Sequence, residues 1–398
     1  MMRRIDLKSI RTAHFGTMRA INRQIVLNYV RDRGPISRAE IARCTKLQRS
    51  TISEIVDSLL EEGLIEEVGA GQSTGGRCPT LLALRTTGAA AIGIDIAPTR
   101  TTVATSDLAG GLLESEEFET DHDFDRTITR AVSAVHRLTE RGGGRIEGIG
   151  VSLPGLVDSS KGRLLYVPYF NWRNLDIGAR IAEATGLKVT IDNDANAAAL
   201  AELWFGRADV SEARDFIMVF IAEGVGAGII FDRQVYRGEG GAAGEFGHMI
   251  IGDRAPVPCS CGSYDCWEAF ASGRAAVARY AKLAGSGAAR SMSFAQLIDR
   301  ALAGESAARE ALGETARFLG IGISNLIVGF SPEVVIVGGA ITRAWDLVSD
   351  LFSETVRRSV RRDLPFTRII PSTIGDRASL MGALSLVLAD KFSSVAAV

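Results

Sequence analysis

Between residues 21 and 30, Ile21, Ile25, Val26, Tyr29 and Val30 recur at the spacing of one helical face. Gly34-Pro35 closes that helix. Ser37 followed by Glu40 predicts a capping box for a second helix, entered by Ile41-Ala42. After a short turn, Cys44 to Leu47, a third helix is expected. Its stripe is Ile52, Ile55, Val56 and Leu59, it is closed by Gly63, and its opposite face carries Gln48, Arg49, Ser50, Thr51, Ser53 and Glu54. Leu64–Val68 and Thr80–Leu84 read as strands flanking a glycine-rich loop, Gly69 to Gly76, with Arg77 on the return limb. Two helices, a turn, a third helix with a polar front and a strand-loop-strand wing predict a winged helix-turn-helix over residues 19–85. Gln48, Arg49, Ser50, Thr51, Ser53 and Arg77 are its candidate DNA contacts. A small protein-interaction domain with a solvated polar face is the alternative.

From Ala89 the pattern changes. Residues 90–96 predict a buried strand and Thr101–Thr105 its hairpin partner. A helix from Phe124 to Arg141 and a strand at Gly148–Val151 follow, then Leu153-Pro154-Gly155. The theme returns in the second half. Phe216–Ile221 is a strand, Glu223-Gly224-Val225-Gly226-Ala227-Gly228 a glycine-rich string, and Ile229–Phe231 a strand again. A dinucleotide fingerprint opens a helix, whereas here a strand follows. The string therefore reads as a hairpin loop able to approach a phosphate, or as a turn that merely needs glycine. Alternating strands and helices imply an α/β body.

Composition adds an asymmetry. The 398 residues carry a net charge of −2, yet residues 1–85 hold 14 Lys and Arg against 9 Asp and Glu. A basic N-terminal segment on an acidic body points to nucleic acid at one end only. No apolar run is long enough to span a bilayer, and the charged start at Met1-Met2-Arg3-Arg4 has no apolar core behind it. Five cysteines, three of them within eight residues, do not suggest disulfides, so the cytoplasm is the expected compartment.

Several motifs together resemble the ROK family of repressors, open reading frames and kinases, from about Arg19 to about Ala389. Gly75-Gly76-Arg77 is similar to the family's wing, and Asp192-Asn193-Asp194-Ala195-Asn196 to its substrate signature. Ala243–Met249 and Cys259–Glu268 resemble its zinc region, and Val335–Ala340 its adenosine-side loop. The resemblance implies a two-lobed, actin-like (ribonuclease-H-like) sugar-kinase fold with a ligand between the lobes. The expected division is an arm at 1–18, the winged helix-turn-helix at 19–85, a first lobe at 88–200 and a second at 201–398. The C-terminal helix is expected to return to the first lobe.

His248, Cys259, Cys261 and Cys266 form a Cys3His set suited to a closed tetrahedral zinc site. Three reduced thiols on a loop are the alternative. Asp265 and Trp267 depart from the glycine and leucine usual in the family, which leaves the ligands unchanged but bears on the loop's conformation. By resemblance, Asn193, Asp194, Glu245, His248 and Glu268 contact sugar hydroxyls, with His248 holding zinc through its other ring nitrogen. Asn193-Asp194 would also serve simply as a helix cap.

In the family's kinases the residue at Asp194 is the general base. The phosphate loops here depart from the kinase pattern. Asp95-Ile96-Ala97-Pro98-Thr99 replaces a glycine pair, and Ala222-Glu223-Gly224 puts a carboxylate where a hydroxyl should stand. Asp194 is then a vestigial base. The sequence thus predicts a sugar-responsive repressor of carbohydrate-metabolism genes. It would be a homodimer or dimer of dimers on double-stranded operator DNA, with zinc as its metal and a small sugar as effector. An ATP-dependent sugar kinase carrying an extra DNA-binding domain is the alternative.

Overall fold

The computed structural model describes residues 15–72, 78–207, 210, 213–285, 292–361 and 363–392. Its first unit runs α1 (Phe15–Arg33), β1 (Ile36–Ser37), α2 (Arg38–Thr45), α3 (Arg49–Glu61), β2 (Ile65–Ala70) and β3 (Thr80–Leu84). Strand order β1-β3-β2, all antiparallel, makes this a winged helix-turn-helix. The first helix extends beyond the expected span at both ends, and β1 was not expected. Ser37 caps α2, its Oγ accepting the Glu40 N–H at 3.2 Å. The Glu40 carboxylate does not complete the expected box; it takes the Arg43 guanidinium at 3.2 Å, one turn on. A 2.8 Å bond from Arg38 to Asp57 ties α2 to α3. Gly75, Gly76 and Arg77 of the wing lie outside the described residues.

The body holds two five-stranded sheets. The first has order β11-β7-β4-β5-β6, built from β4 (Ala89–Ile96), β5 (Arg100–Asp107), β6 (Leu112–Glu119), β7 (Arg145–Leu153) and β11 (Val189–Asn193). β4 pairs antiparallel with β5, as the hairpin expectation required, and parallel with β7. A small sheet of β8 (Leu156–Asp158), β9 (Arg163–Val167) and β10 (Trp172–Leu175) stands beside it. The second large sheet has order β14-β13-β12-β15-β16, from β12 (Phe216–Ile221), β13 (Val225–Phe231), β14 (Gln234–Val235), β15 (Val334–Gly339) and β16 (Arg368–Pro371).

Helices cover the faces: α4 (Phe124–Gly142), α5 (Ile177–Thr185), α6 (Asp194–Phe205), α7 (Trp267–Ala271), α8 (Gly273–Ala284), α9 (Phe294–Leu302), α10 (Ser306–Phe330), α11 (Trp345–Ser359) and α12 (Ala378–Phe392). The last helix lies on the first sheet. Gly150 of β7 permits that approach, because a Cβ there would run into the Ala383 carbonyl.

The glycine string corrects one expectation. Gly226 and Gly228 lie inside β13 rather than in a loop. A Cβ at Gly226 would stand 2.7 Å from the Ala195 Cβ, and one at Gly228 would strike the Ala195 carbonyl. These glycines let α6 close on the sheet. One apolar cluster also spans the two units. Val26, Leu27 and Val30 of α1 share it with Met381, Leu384, Val387 and Leu388 of α12. The Arg31 guanidinium stacks 4.2 Å from the Trp204 ring centroid across the same contact.

Candidate functional site

At the N-terminal unit, α3 buries Ile52, Ile55, Val56 and Leu59 and turns its other face outward. Gln48 precedes the helix, and Gln48, Arg49 and Ser50 are exposed while Thr51 and Ser53 are half-buried. The face offers a cation, an amide and hydroxyls at the end of the helix where backbone N–H groups point out.

The second site gathers His248 with Cys259, Cys261 and Cys266, whose ligand atoms all lie within 4.8 Å of one another. His248 Nδ1 is 3.3 Å from Cys259 Sγ, and Cys261 Sγ is 3.3 Å from Cys259 Sγ and 3.9 Å from Cys266 Sγ. A tetrahedron with metal–ligand distances of about 2.0–2.3 Å has edges of roughly 3.3–3.8 Å, so the set fits one metal ion. Nδ1 faces the thiols, while Nε2 points to Glu245 Oε2 at 3.5 Å. Asp265 takes the left-handed conformation at φ +64° that glycine adopts freely, and its carboxylate accepts the Ala255 N–H at 2.8 Å. The loop thus keeps the backbone a glycine would give. Trp267 is buried, its Nε1 donating to the Phe318 carbonyl at 2.9 Å, and Gly322 leaves room for the indole.

The third site is the cleft. An inner cavity of about 280 Å³ is lined by Asn193, Asp194, Glu245, His248, Glu268, Tyr169 and Glu223, among others. It therefore brings together all five sugar-contact candidates. Asn193 is a helix cap as well. Its Oδ1 accepts the Ala195 and Asn196 N–H groups at 2.9 and 3.2 Å, and its Nδ2 donates to the Gly155 carbonyl at 3.0 Å. Glu268 is buried and held by the Arg274 guanidinium at 3.0 Å and the Ser260 hydroxyl at 2.8 Å. Ser260 sits between two cysteines of the cluster, so the cysteine loop also positions a cleft carboxylate.

A larger cavity of about 800 Å³ adjoins the first, and Asp194, Pro98, Phe220, Ala222 and Glu223 line both. Burial pushes the Asp194 carboxyl up to about 7, with the Asp95 charge as the next cause. Burial likewise raises Asp95 to about 6, opposed by hydrogen bonds from Ser379 and Ser152. Ser379 Oγ donates to Asp95 at 2.6 Å and lies 2.6 Å from Ser152 Oγ, which fastens the start of α12 to the cleft. Glu223, the departure in the second phosphate loop, is raised by burial and partly relieved by Arg274. Sequence reasoning missed Tyr169, Ser260, Arg274 and Arg237. Each comes from a hairpin, loop or helix start with no spacing to mark it, and only the fold brings Tyr169 and Ser260 to the cleft, Arg274 onto Glu268 and Arg237 onto Asp192.

The ROK family pattern matches residues 91–390, and the MarR family pattern matches residues 25–72. The chain is 32% identical over 391 residues to the xylose repressor of Caldicellulosiruptor bescii, covering 94% of this chain and 97% of that one. Among solved structures it resembles a ROK family transcriptional regulator described as a homolog of the E. coli MLC protein. That likeness has a TM-score of 0.79 and 26% identity, over 95% of this chain and 98% of the other. It also resembles a ROK family glucokinase from Streptomyces griseus in complex with glucose and AMPPNP, with a TM-score of 0.68 and 30% identity. That match covers 75% of this chain and 98% of the glucokinase.

Proposed function

The chain belongs to the ROK family, and from that premise we propose that it is a sugar-responsive transcriptional repressor. Its winged helix-turn-helix binds operator DNA, and the 280 Å³ cavity binds a sugar. The observation that carries the reading is the double attachment of α12. Ser379, near its start, bonds Asp95 in the cleft, and Met381, Leu384, Val387 and Leu388 along it pack with α1 of the DNA-binding unit. A ligand that favours one cleft geometry then favours one placement of the winged helix, provided its affinity for the two arrangements differs.

The roles follow the chemistry of each group. Gln48, Arg49, Ser50, Thr51, Ser53 and Arg77 contact DNA. Asn193, Asp194, Glu245, His248 and Glu268 contact sugar hydroxyls, with Asp194 a vestigial base. His248, Cys259, Cys261 and Cys266 hold zinc, a structural ion that fixes the loop carrying Ser260 and presents His248 Nε2 to the cleft. A homodimer, or a dimer of such dimers, in the cytoplasm presents two reading helices to a two-fold operator.

The second reading, an ATP-dependent sugar kinase, is favoured by Asp194, a cleft carboxyl with the raised pKa of a base. Ala97, Pro98 and Glu223 weigh against it: Ala97 and Pro98 put side chains where glycines would stand, Pro98 lacks an N–H donor, and Glu223 adds negative charge where phosphates would lie. A gel shift of the full chain on its own promoter fragment, with and without D-xylose, D-glucose and N-acetyl-D-glucosamine, tests the first. Sugar-dependent release of ADP from ATP at ordinary kinase rates would establish the second instead.

A further inference from the structure

The Tyr169 hydroxyl is buried among the described residues without a hydrogen-bond partner. That is uncommon for a tyrosine, whose ring tolerates burial but whose O–H ordinarily finds an acceptor. Tyr169 lies between β9 and β10 on the first-lobe side and lines the inner cavity. Its hydroxyl faces the second-lobe side, since a Cβ built at Gly224 would come within 2.9 Å of it and also meet the Glu268 carboxylate. The Arg274 guanidinium lies 5.7 Å from its ring centroid.

Apart from His248, whose Nε2 points to Glu245, several polar groups in or beside this cavity are already committed. Asn193 spends its amide on the helix cap and on Gly155. Ser260 donates to Glu268, and Arg274 donates to Glu268 and to the Glu223 carbonyl. The described lining holds the carboxylates of Asp194, Glu223, Glu245 and Glu268, and no lysine or arginine. Such a surface accepts hydrogen bonds from a polyol and offers a phosphate no cation of its own.

We propose that Tyr169 is a ligand-binding residue of this cleft, whose hydroxyl donates to an oxygen of an unphosphorylated sugar. The proposal rests on the sugar-binding reading above and names the charge class of the ligand. Burial and the neighbouring carboxylates raise the Tyr169 hydroxyl above its ordinary value, so it remains a donor. The ligand oxygen can be a ring oxygen, a hydroxyl or an amide carbonyl, because each offers the lone pair that the protein around Tyr169 does not. Since Tyr169 reaches from one lobe toward groups of the other, a ligand oxygen set between them bridges the two.

The test is calorimetric titration of the full-length protein with D-xylose, D-glucose, N-acetyl-D-glucosamine and glucose 6-phosphate. It uses the wild type, Tyr169→Phe and Asp194→Asn, with thermal unfolding of each unliganded protein. At least one uncharged sugar should bind, and glucose 6-phosphate should bind far more weakly than glucose or not at all. Tyr169→Phe should weaken the bound sugar about 5- to 20-fold, the usual range for one lost hydrogen bond in an enclosed site. The same change removes an unpaired buried hydroxyl, so the unliganded variant should melt at the wild-type temperature or above it. Lower affinity with undiminished stability is a signature that a merely structural tyrosine does not give. Equal affinity in Tyr169→Phe, alongside a loss in Asp194→Asn, overturns the Tyr169 assignment and leaves sugar binding standing. Tighter binding of glucose 6-phosphate than of any uncharged sugar overturns the charge class. No binding of any of the four to the wild type overturns the sugar reading, and the proposal with it.

Discussion

Arg237, just past β14, reaches Asp192 at the end of β11, with Nε and Nη2 at 2.8 and 2.7 Å from the same carboxylate oxygen. The other oxygen of Asp192 accepts the Asn193 N–H at 2.9 Å and the Asn196 amide at 3.2 Å. One buried carboxylate therefore joins the two sheets and orients the residue before Asp194. Arg237→Ala would leave that charge unpaired. Because the arginine is partly exposed, we expect a stability loss of about 2 kcal/mol, below the range for fully buried pairs. Sugar affinity should fall as well. Chemical denaturation and calorimetry read the two effects, and an unchanged midpoint would show that the pair bears no load.

Purified protein should carry about one zinc per chain, since three thiolates and one imidazole complete a single tetrahedron. Cys261→Ala should lose the metal and, through Ser260 and Glu268, weaken sugar binding. Elemental analysis of reduced protein showing no bound metal would remove the assignment.

Asp95 and Asp194 have folded pKa values of about 6 and about 7, above the ordinary value of 3.8. Carboxyls raised on folding contribute stability that is complete below about pH 4 and lost as pH rises through the folded values. Asp95→Asn keeps a group that can bond Ser379 and removes the charge. Relative to wild type it should gain little at pH 4 and about 2–3 kcal/mol by pH 8. Urea unfolding across that range checks this, and a difference that stays flat with pH contradicts it.

Arg49 is exposed at the start of α3. Arg49→Ala should weaken operator binding without altering sugar affinity. If the guanidinium meets a phosphate, the slope of log affinity against log salt should shrink by about one. Full retention of DNA affinity, measured by fluorescence anisotropy, would take Arg49 out of the reading surface.

Local patterns made much of the fold legible. Ile52, Ile55, Val56 and Leu59 marked α3, and the unbroken apolar run Phe216–Ile221 marked a buried strand, because 3.6- and 2-residue periods are set by backbone geometry. The cysteine spacing disclosed the metal set for the same reason, since its ligands lie close in sequence. β6 escaped notice because Glu114, Glu116, Glu117 and Glu119 mask any apolar alternation, as suits a charged edge strand.

By itself, then, the sequence determined many of the elements, the family and the residue types available for chemistry, all of which depend on neighbours a few positions apart. The tertiary structure alone decided that Gly226 and Gly228 let α6 close on the sheet, that Arg237 meets Asp192, and that Tyr169 brings an uncommitted hydroxyl to the cleft. Those relationships join segments tens of residues apart. Their chemistry comes from burial and from the direction of approach, and neither exists until the sheets and helices have packed.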